Sequence, residues 1–130
     1  MKFLLDANVA IALTDESHLD HEAALSWLHG NNDTLLCPVV EGALFRYMIR
    51  AGKTADDAVS VLNMVEGNER VRLIDDDLHY GDGNWTGLRG HRQVTDMYLV
   101  ELTARHGAQL ATFDEGIATA RPEQVHLIGS

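Results

Sequence analysis

Four carboxylates in this chain stand out by position: Asp6, Glu41, Asp96 and Asp114. Asp6 closes the short apolar run Lys2–Leu5, and Asp114 closes the run Gln109–Phe113. Runs this short suit buried strands better than helices. Glu41 lies three residues before the stripe Leu44, Phe45, Met48, Ile49, and Asp96 three before Leu99, Val100, Thr103. That spacing starts the inward face of a helix with a carboxylate, and an unpaired buried carboxylate is costly. Each acid taken alone has a bland role. An Asp after a strand caps a helix or forms a turn, and an acid in a first helical turn complements the dipole. Taken jointly, two acids end strands, two begin inward helix faces, and all four can converge on one rim.

Four carboxylates in one pocket cannot all ionise without a counter-charge. A divalent cation supplies it, and an all-oxygen ligand set suits Mg²⁺ or Mn²⁺ rather than Zn²⁺. Sites of this kind serve phosphoryl chemistry: the metal polarises the phosphate, lowers the pKa of a water and stabilises the leaving oxygen.

The elements that must position these acids follow from pattern. Strands are predicted at Lys2–Leu5, Thr34–Cys37, Val71–Ile74, Gln109–Phe113 and Gln124–Ile128. Helical segments are predicted at Asn8–Leu13, at His21–His29 behind an Asp20 cap, and from Pro38 to a stop at Gly52. Further helices are predicted from Thr54 to Val65, from Thr95 to His106 before Gly107, and over Gly116–Ala120. The helix from Thr54 is expected to bury Ala58, Val61, Leu62 and Val65. Segment 75–92, rich in Asp and Gly, takes no assignment. Strands alternating with helices define an α/β fold, a central parallel sheet of four to five short strands flanked by helices. Ligands in such folds bind beyond the carboxyl ends of the strands, where Asp6 and Asp114 fall.

Composition sets the outer bounds. At 130 residues, 45% of them apolar, the chain suits one domain spanning 1–130 with one core. A single cysteine, Cys37, rules out an internal disulfide or a Cys-rich zinc site and points to the cytoplasm. Met1–Leu5 opens like a signal peptide, but Asp6 and Asn8 interrupt the apolar run, so a soluble, unprocessed protein is expected. No apolar stretch approaches the roughly 20 residues of a membrane helix, so no membrane is expected as a partner. Twenty acidic against ten basic residues give a net charge of −10. That argues against nucleic acid unless part of the excess belongs to a cation site.

The same residues carry a family resemblance. Leu4-Leu5-Asp6-Ala7-Asn8-Val9 resembles the opening of PIN-domain ribonucleases. Cys37-Pro38-Val39-Val40-Glu41, with Arg46 later, resembles their second motif, Val94–Leu99 around Asp96 their third, and Leu110–Asp114 their fourth. The order and approximate spacing hold across nearly the whole chain. The chain is most similar to the VapC-type toxins of bacterial toxin–antitoxin pairs. The resemblance implies a PIN-like fold, metal-dependent endoribonuclease activity with Mg²⁺ or Mn²⁺, an RNA substrate, a homodimer and inhibition by a cognate VapB-type antitoxin. It implies that Asp6, Glu41, Asp96 and Asp114 hold metal and that Asn8 and Thr112 orient them. It also implies products with a 5′-phosphate and a 3′-hydroxyl.

Basic residues near these motifs can supply the local positive field that RNA requires. Arg89, His91 and Arg92 precede the Asp96 helix and can hold phosphates; a solvated loop is the alternative. Arg46 and Arg50 flank the Glu41 stripe and are expected at the surface. Glu115 is expected to be an exposed surface acid. His21 fits a core or capping role, Trp27 a partly buried helix face, and Trp85 in its Gly-rich loop a base-stacking role. Asp75-Asp76-Asp77 and Asp82-Gly83-Asn84 do not match the EF-hand spacing. Other classes fit less well. A receiver domain needs a late lysine, and the lysines are Lys2 and Lys53; an Asp-x-Asp phosphatase needs an acid where Asn8 stands. A catalytically inactive PIN-like RNA- or protein-binding module is the main alternative, and it should have lost one of the four acids.

Overall fold

A computed structural model describes residues 1–129. Its strands are β1 (Lys2–Leu5), β2 (Thr34–Leu36), β3 (Val71–Leu73), β4 (Ala108–Thr112) and β5 (Val125–Leu127). They form one five-stranded sheet in the order β3-β2-β1-β4-β5, with every pairing parallel. Helices α1 (Ala7–Thr14), α2 (His21–His29), α3 (Pro38–Arg50), α4 (Ala55–Glu66), α5 (Val94–Arg105) and α6 (Glu115–Ala120) connect and cover them.

The period-two rule of a strand sorts the core. Along β1, Leu4 enters the larger apolar cluster with Leu35, Leu44, Leu99 and Leu110. Its neighbours Phe3 and Leu5 enter the smaller cluster on the other face with Val9, Ala24, Ala111 and Ile128. Both sheet faces are therefore dry, which accounts for strands that read as near-continuous apolar runs.

Helix boundaries follow local chemistry. Thr54 caps α4 in a full capping box: its hydroxyl accepts from Asp57 N, and the Asp57 carboxylate accepts from Thr54 N. Gly52 and Gly107, after α3 and α5, take φ of +90° and +64°, a region that favours glycine. Three expectations need correction. Asp20 precedes α2 but its side chain makes no capping bond. Ile49 is 43% exposed because the buried line of α3 runs through Val40, Leu44 and Met48, and Ile49 lies one position, about 100°, off it. On α4 only Ala58 is fully buried, while Val61, Leu62 and Val65 are partly covered. Segment 75–92 contains two short 3-10 turns, Tyr80–Asp82 and His91–Gln93, and otherwise runs as loop.

The strand order reverses direction between β1 and β4. Leu5 pairs with Ala111, so Asp6, just past β1, and Thr112, the last residue of β4, stand side by side at the topological switch point.

Candidate active site

Asp6 leaves β1 as the N-cap of α1. One carboxylate oxygen accepts from Ala7 N at 2.8 Å, and the other accepts from the Thr112 hydroxyl at 2.7 Å. The residue is 4% exposed. Asn8 lies one residue into α1 and reaches across the switch point. Its Nδ2 donates to Thr112 Oγ1 at 3.1 Å, and its Oδ1 accepts from Phe113 N at 3.2 Å. Thr112 Oγ1 also accepts from Asp114 N at 3.0 Å. Asp114 then caps α6, its Oδ1 accepting from Gly116 N and Ile117 N. Thr112 is thus the hub that fixes both aspartates, and Asn8 fixes the hub.

Asp96 enters from the first turn of α5. Burial pushes its carboxyl up to about 6, and the charges of Asp6 and Asp114 push in the same direction. Asp6 is likewise raised, first by burial and last by Asp114, against the lowering effect of the hydrogen bonds from Thr112 and Ala7. Asp96 therefore feels the charges of Asp6 and Asp114, Asp6 feels that of Asp114, and no cation figures among the influences on either raised group. Among the described residues no three acid, His or Cys side chains close tightly around one point as they stand. The set is a mutually repelling group of oxygens with no positive partner, and that electrostatic frustration is what a divalent cation relieves.

Glu41 occupies a different neighbourhood. It lies in the first turn of α3, but its carboxyl contacts that of Glu66 at the end of α4. That contact, then burial, then the charges of Glu66 and Asp76 push it up to about 7. Cys37 sits beside this group, and burial pushes its thiol up to about 12, so it is no nucleophile.

A cavity of about 290 Å³ opens on the aspartates, walled by Thr86, Gly87, Gln93, Asp96, Asp114 and Arg121 among others. A neighbouring groove shares Gly87, Gln93 and Gly116 and adds Arg89 and Glu115. Arg89 is thus brought to the rim of the aspartate cleft, and Glu115 is exposed beside it. His91, Arg92, Arg46 and Arg50 are exposed. Trp85 differs from expectation. Its ring stacks on Tyr80 at 5.9 Å and its Nε1 donates to Tyr80 O, so the indole braces the loop from within rather than waiting for a base. His21 Nδ1 bonds Ala12 O, and Trp27 packs edge-on against Phe3, as a core histidine and a core aromatic.

Two functional candidates escaped the sequence reading, Glu101 and Arg121. Glu101 is a lone acid in the run Met97–Thr103, whose other members are all buried. That interruption signals a hidden cation partner, and Arg121 is it, at 3.0 Å.

The chain is thus a parallel α/β protein with acids gathered at the switch point of its sheet. The PIN-domain profile matches residues 3–121, and the chain belongs to the PIN-domain family. It is 41% identical over 119 residues to Ribonuclease VapC29 of Mycobacterium tuberculosis, covering 91% of this chain and 90% of that one. It is 32% identical to Ribonuclease VapC38 of the same organism, covering 89% and 87%. Its fold superposes on the crystal structure of Mycobacterium tuberculosis VapC20, a sarcin-ricin loop cleaving toxin, with a TM-score of 0.74 at 15% identity, covering 98% of this chain and all of that one. It also superposes on VapBC2 of Rickettsia felis, solved bound to a promoter DNA fragment, with a TM-score of 0.65 at 20% identity, covering 98% and 97%.

Proposed function

We propose that this protein is a metal-dependent endoribonuclease and the toxin of a toxin–antitoxin pair. The observation that carries this reading is the convergence of Asp6, Asp96 and Asp114 from three separate elements, two of them with raised pKa, and none in an ion pair among the described residues. The relatives named ribonucleases support the same substrate class.

Asp6, Asp96 and Asp114 would hold Mg²⁺ or Mn²⁺, with Glu41 approaching from α3 once a cation draws it away from Glu66. The bound metal supplies Lewis-acid polarisation of the phosphate and a more acidic water. The chain's own residues do the rest. Thr112 keeps Asp6 oriented by its hydroxyl proton, and its oxygen holds the Asp114 backbone in place. Asn8 locks Thr112 in the rotamer that serves both. Arg89, at the rim, and Arg92 and His91 in the turn before α5 give an incoming phosphate chain a local positive field on an otherwise acidic surface. Arg46 is the more distant candidate for that role.

A VapB-type antitoxin fits this site through an arginine, because a guanidinium pairs bidentately with carboxylates and replaces metal charge. The test of the whole reading is RNA cleavage by the purified protein with Mn²⁺ or Mg²⁺. Cleavage should vanish in EDTA and in Asp114→Asn and leave 5′-phosphate and 3′-hydroxyl ends. Wild-type protein that leaves RNA intact at saturating Mn²⁺ refutes it and favours an inactive binding module.

A further inference from the structure

One wall of the aspartate cleft comes from a segment with almost no regular structure. Residues 84–87 have no strand or helix to hold them, and Thr86 and Gly87 line the cavity that Asp96 and Asp114 share. What holds the segment is a largely covered ion pair reached from two other elements. Arg121, directly after α6, and Glu101, in the middle of α5, approach at 3.0 Å with side chains only 14% and 13% exposed. Both grip the same stretch. Glu101 Oε1 accepts from Asn84 N at 2.6 Å, while Arg121 Nη2 donates to Asn84 O at 2.9 Å and to Thr86 O at 3.2 Å. Arg121 Nη1 donates to Glu101 and also to Gln124 Oε1 at 3.2 Å. A planar guanidinium fork can serve a carboxylate, an amide and two carbonyls at once; a lysine ammonium is a compact charge that cannot span them. Within the segment, Trp85 stacks on Tyr80 and its Nε1 donates to Tyr80 O.

We propose that Arg121, paired with Glu101, is a positioning residue for the RNA strand: it fixes the Thr86–Gly87 wall of the cavity beside Asp96 and Asp114 and thereby sets how tightly, and in what register, a single strand lies across the acids. The cavity, of about 290 Å³, opens to solvent beside Asp96 and Asp114, and an unstacked nucleotide of a single strand can be splayed into such a recess, whereas a base held in a duplex cannot. The wall carries the Thr86 hydroxyl and the Gly87 backbone, which can read a base edge only if held still. A loop with few buried apolar contacts opens easily without its strap. Substrate held in the wrong register then loses affinity and selectivity while the carboxylates themselves stay intact.

This inference rests on the ribonuclease reading. The test uses the full chain with Mn²⁺ and a fluorescein-labelled single-stranded RNA pool of randomised sequence. Initial rates give kcat and KM, sequencing of product ends gives the cleavage profile, and thermal melting gives the folded fraction at assay temperature. Arg121→Ala should raise KM about tenfold, with kcat per folded molecule changed less than about twofold, and should broaden the cleavage profile. Arg121→Lys keeps the charge beside Glu101 and should recover melting temperature while KM stays several-fold raised, about threefold or more. If Arg121→Ala yields no folded protein, Glu101→Gln keeps shape and one acceptor and should raise KM in the same direction by a smaller factor, about threefold, again with kcat per folded molecule little changed. A merely structural strut gives a different result: a smaller folded fraction, hence lower apparent kcat, with KM and cleavage profile as in the wild type. That result overturns the proposal. A wild-type protein that does not cleave the pool overturns the ribonuclease reading and this inference with it.

Discussion

Asp96→Asn separates a metal-site carboxylate from a helix-start carboxylate, because the two roles move stability in opposite directions. Folding raises the Asp96 carboxyl from 3.8 to about 6, through burial first and then the charges of Asp6 and Asp114. A carboxyl whose folded pKa exceeds its unfolded value binds a proton more tightly when folded. Its stabilising contribution is complete below about pH 4 and is lost as pH rises through about 6, after which stability stays flat. About two units at 1.36 kcal/mol each would be about 3 kcal/mol. Asp96 is only partly buried, and solvent screening reduces this to about 1 kcal/mol. An unfolding entropy of about 2.1 cal/mol/K per residue gives about 0.27 kcal/mol/K for 130 residues, so the penalty is about 4 °C of Tm. Asn removes the charge at nearly constant shape. In EDTA at neutral pH the variant should therefore melt about 4 °C above wild type, less a few tenths of a kcal/mol for the lost dipole interaction. Near pH 4 the difference should disappear. Saturating Mn²⁺ at about a hundred times its Kd stabilises wild type by about 2.7 kcal/mol, about 10 °C, and should stabilise the variant much less. The assay is thermal melting of both proteins at the two pH values, with EDTA and with Mn²⁺. A variant that melts lower in EDTA and keeps the full metal response makes Asp96 a helix-start residue and removes it from the site.

Asp6→Asn and Asp114→Asn should each reduce cleavage at least a hundredfold, with losses that do not multiply in the double variant, whereas Glu115→Gln should stay within about threefold. Near wild-type rates for Asp6→Asn at saturating Mn²⁺ would dismiss the site. Thr112→Val strips the hub of its hydroxyl and leaves donors from Asn8 and Asp114 unpaired. It should cost about 1–3 kcal/mol in denaturant melts and move the acid limb of the pH–rate profile upward, since that hydroxyl lowers the Asp6 pKa. Glu41→Gln should remove Glu41's own share of the stability that wild type loses as pH rises from about 4.5 through about 7, because no second carboxylate then faces Glu66, and should slow cleavage at least tenfold. Retained activity would leave Glu41 a partner of Glu66 only. Inhibition by the cognate antitoxin should weaken when its inserted Arg is changed to Ala, and full inhibition by an antitoxin stripped of such arginines would refute insertion.

The sequence by itself singled out four acids and determined which elements deliver them. Asp6 and Asp114 follow apolar runs too short to be anything but strands, and Asp96 is tied to its helix by the three-residue step to Leu99. These are local signals, set by side-chain period and by caps such as Thr54, and they survive folding unchanged. The tertiary structure decided what faces what. The switch point exists only because β4 inserts beside β1, more than a hundred residues away in sequence, and that pairing alone puts Thr112 against Asp6. The same long-range packing turned Glu41 toward Glu66, a neighbour that no helical period names. It also turned Trp85 inward onto Tyr80 and joined Glu101 to Arg121 around a loop whose own sequence has no period to read. Charge and hydrogen-bond partners fall off within a few ångströms, so they depend on distances that the chain's order does not encode.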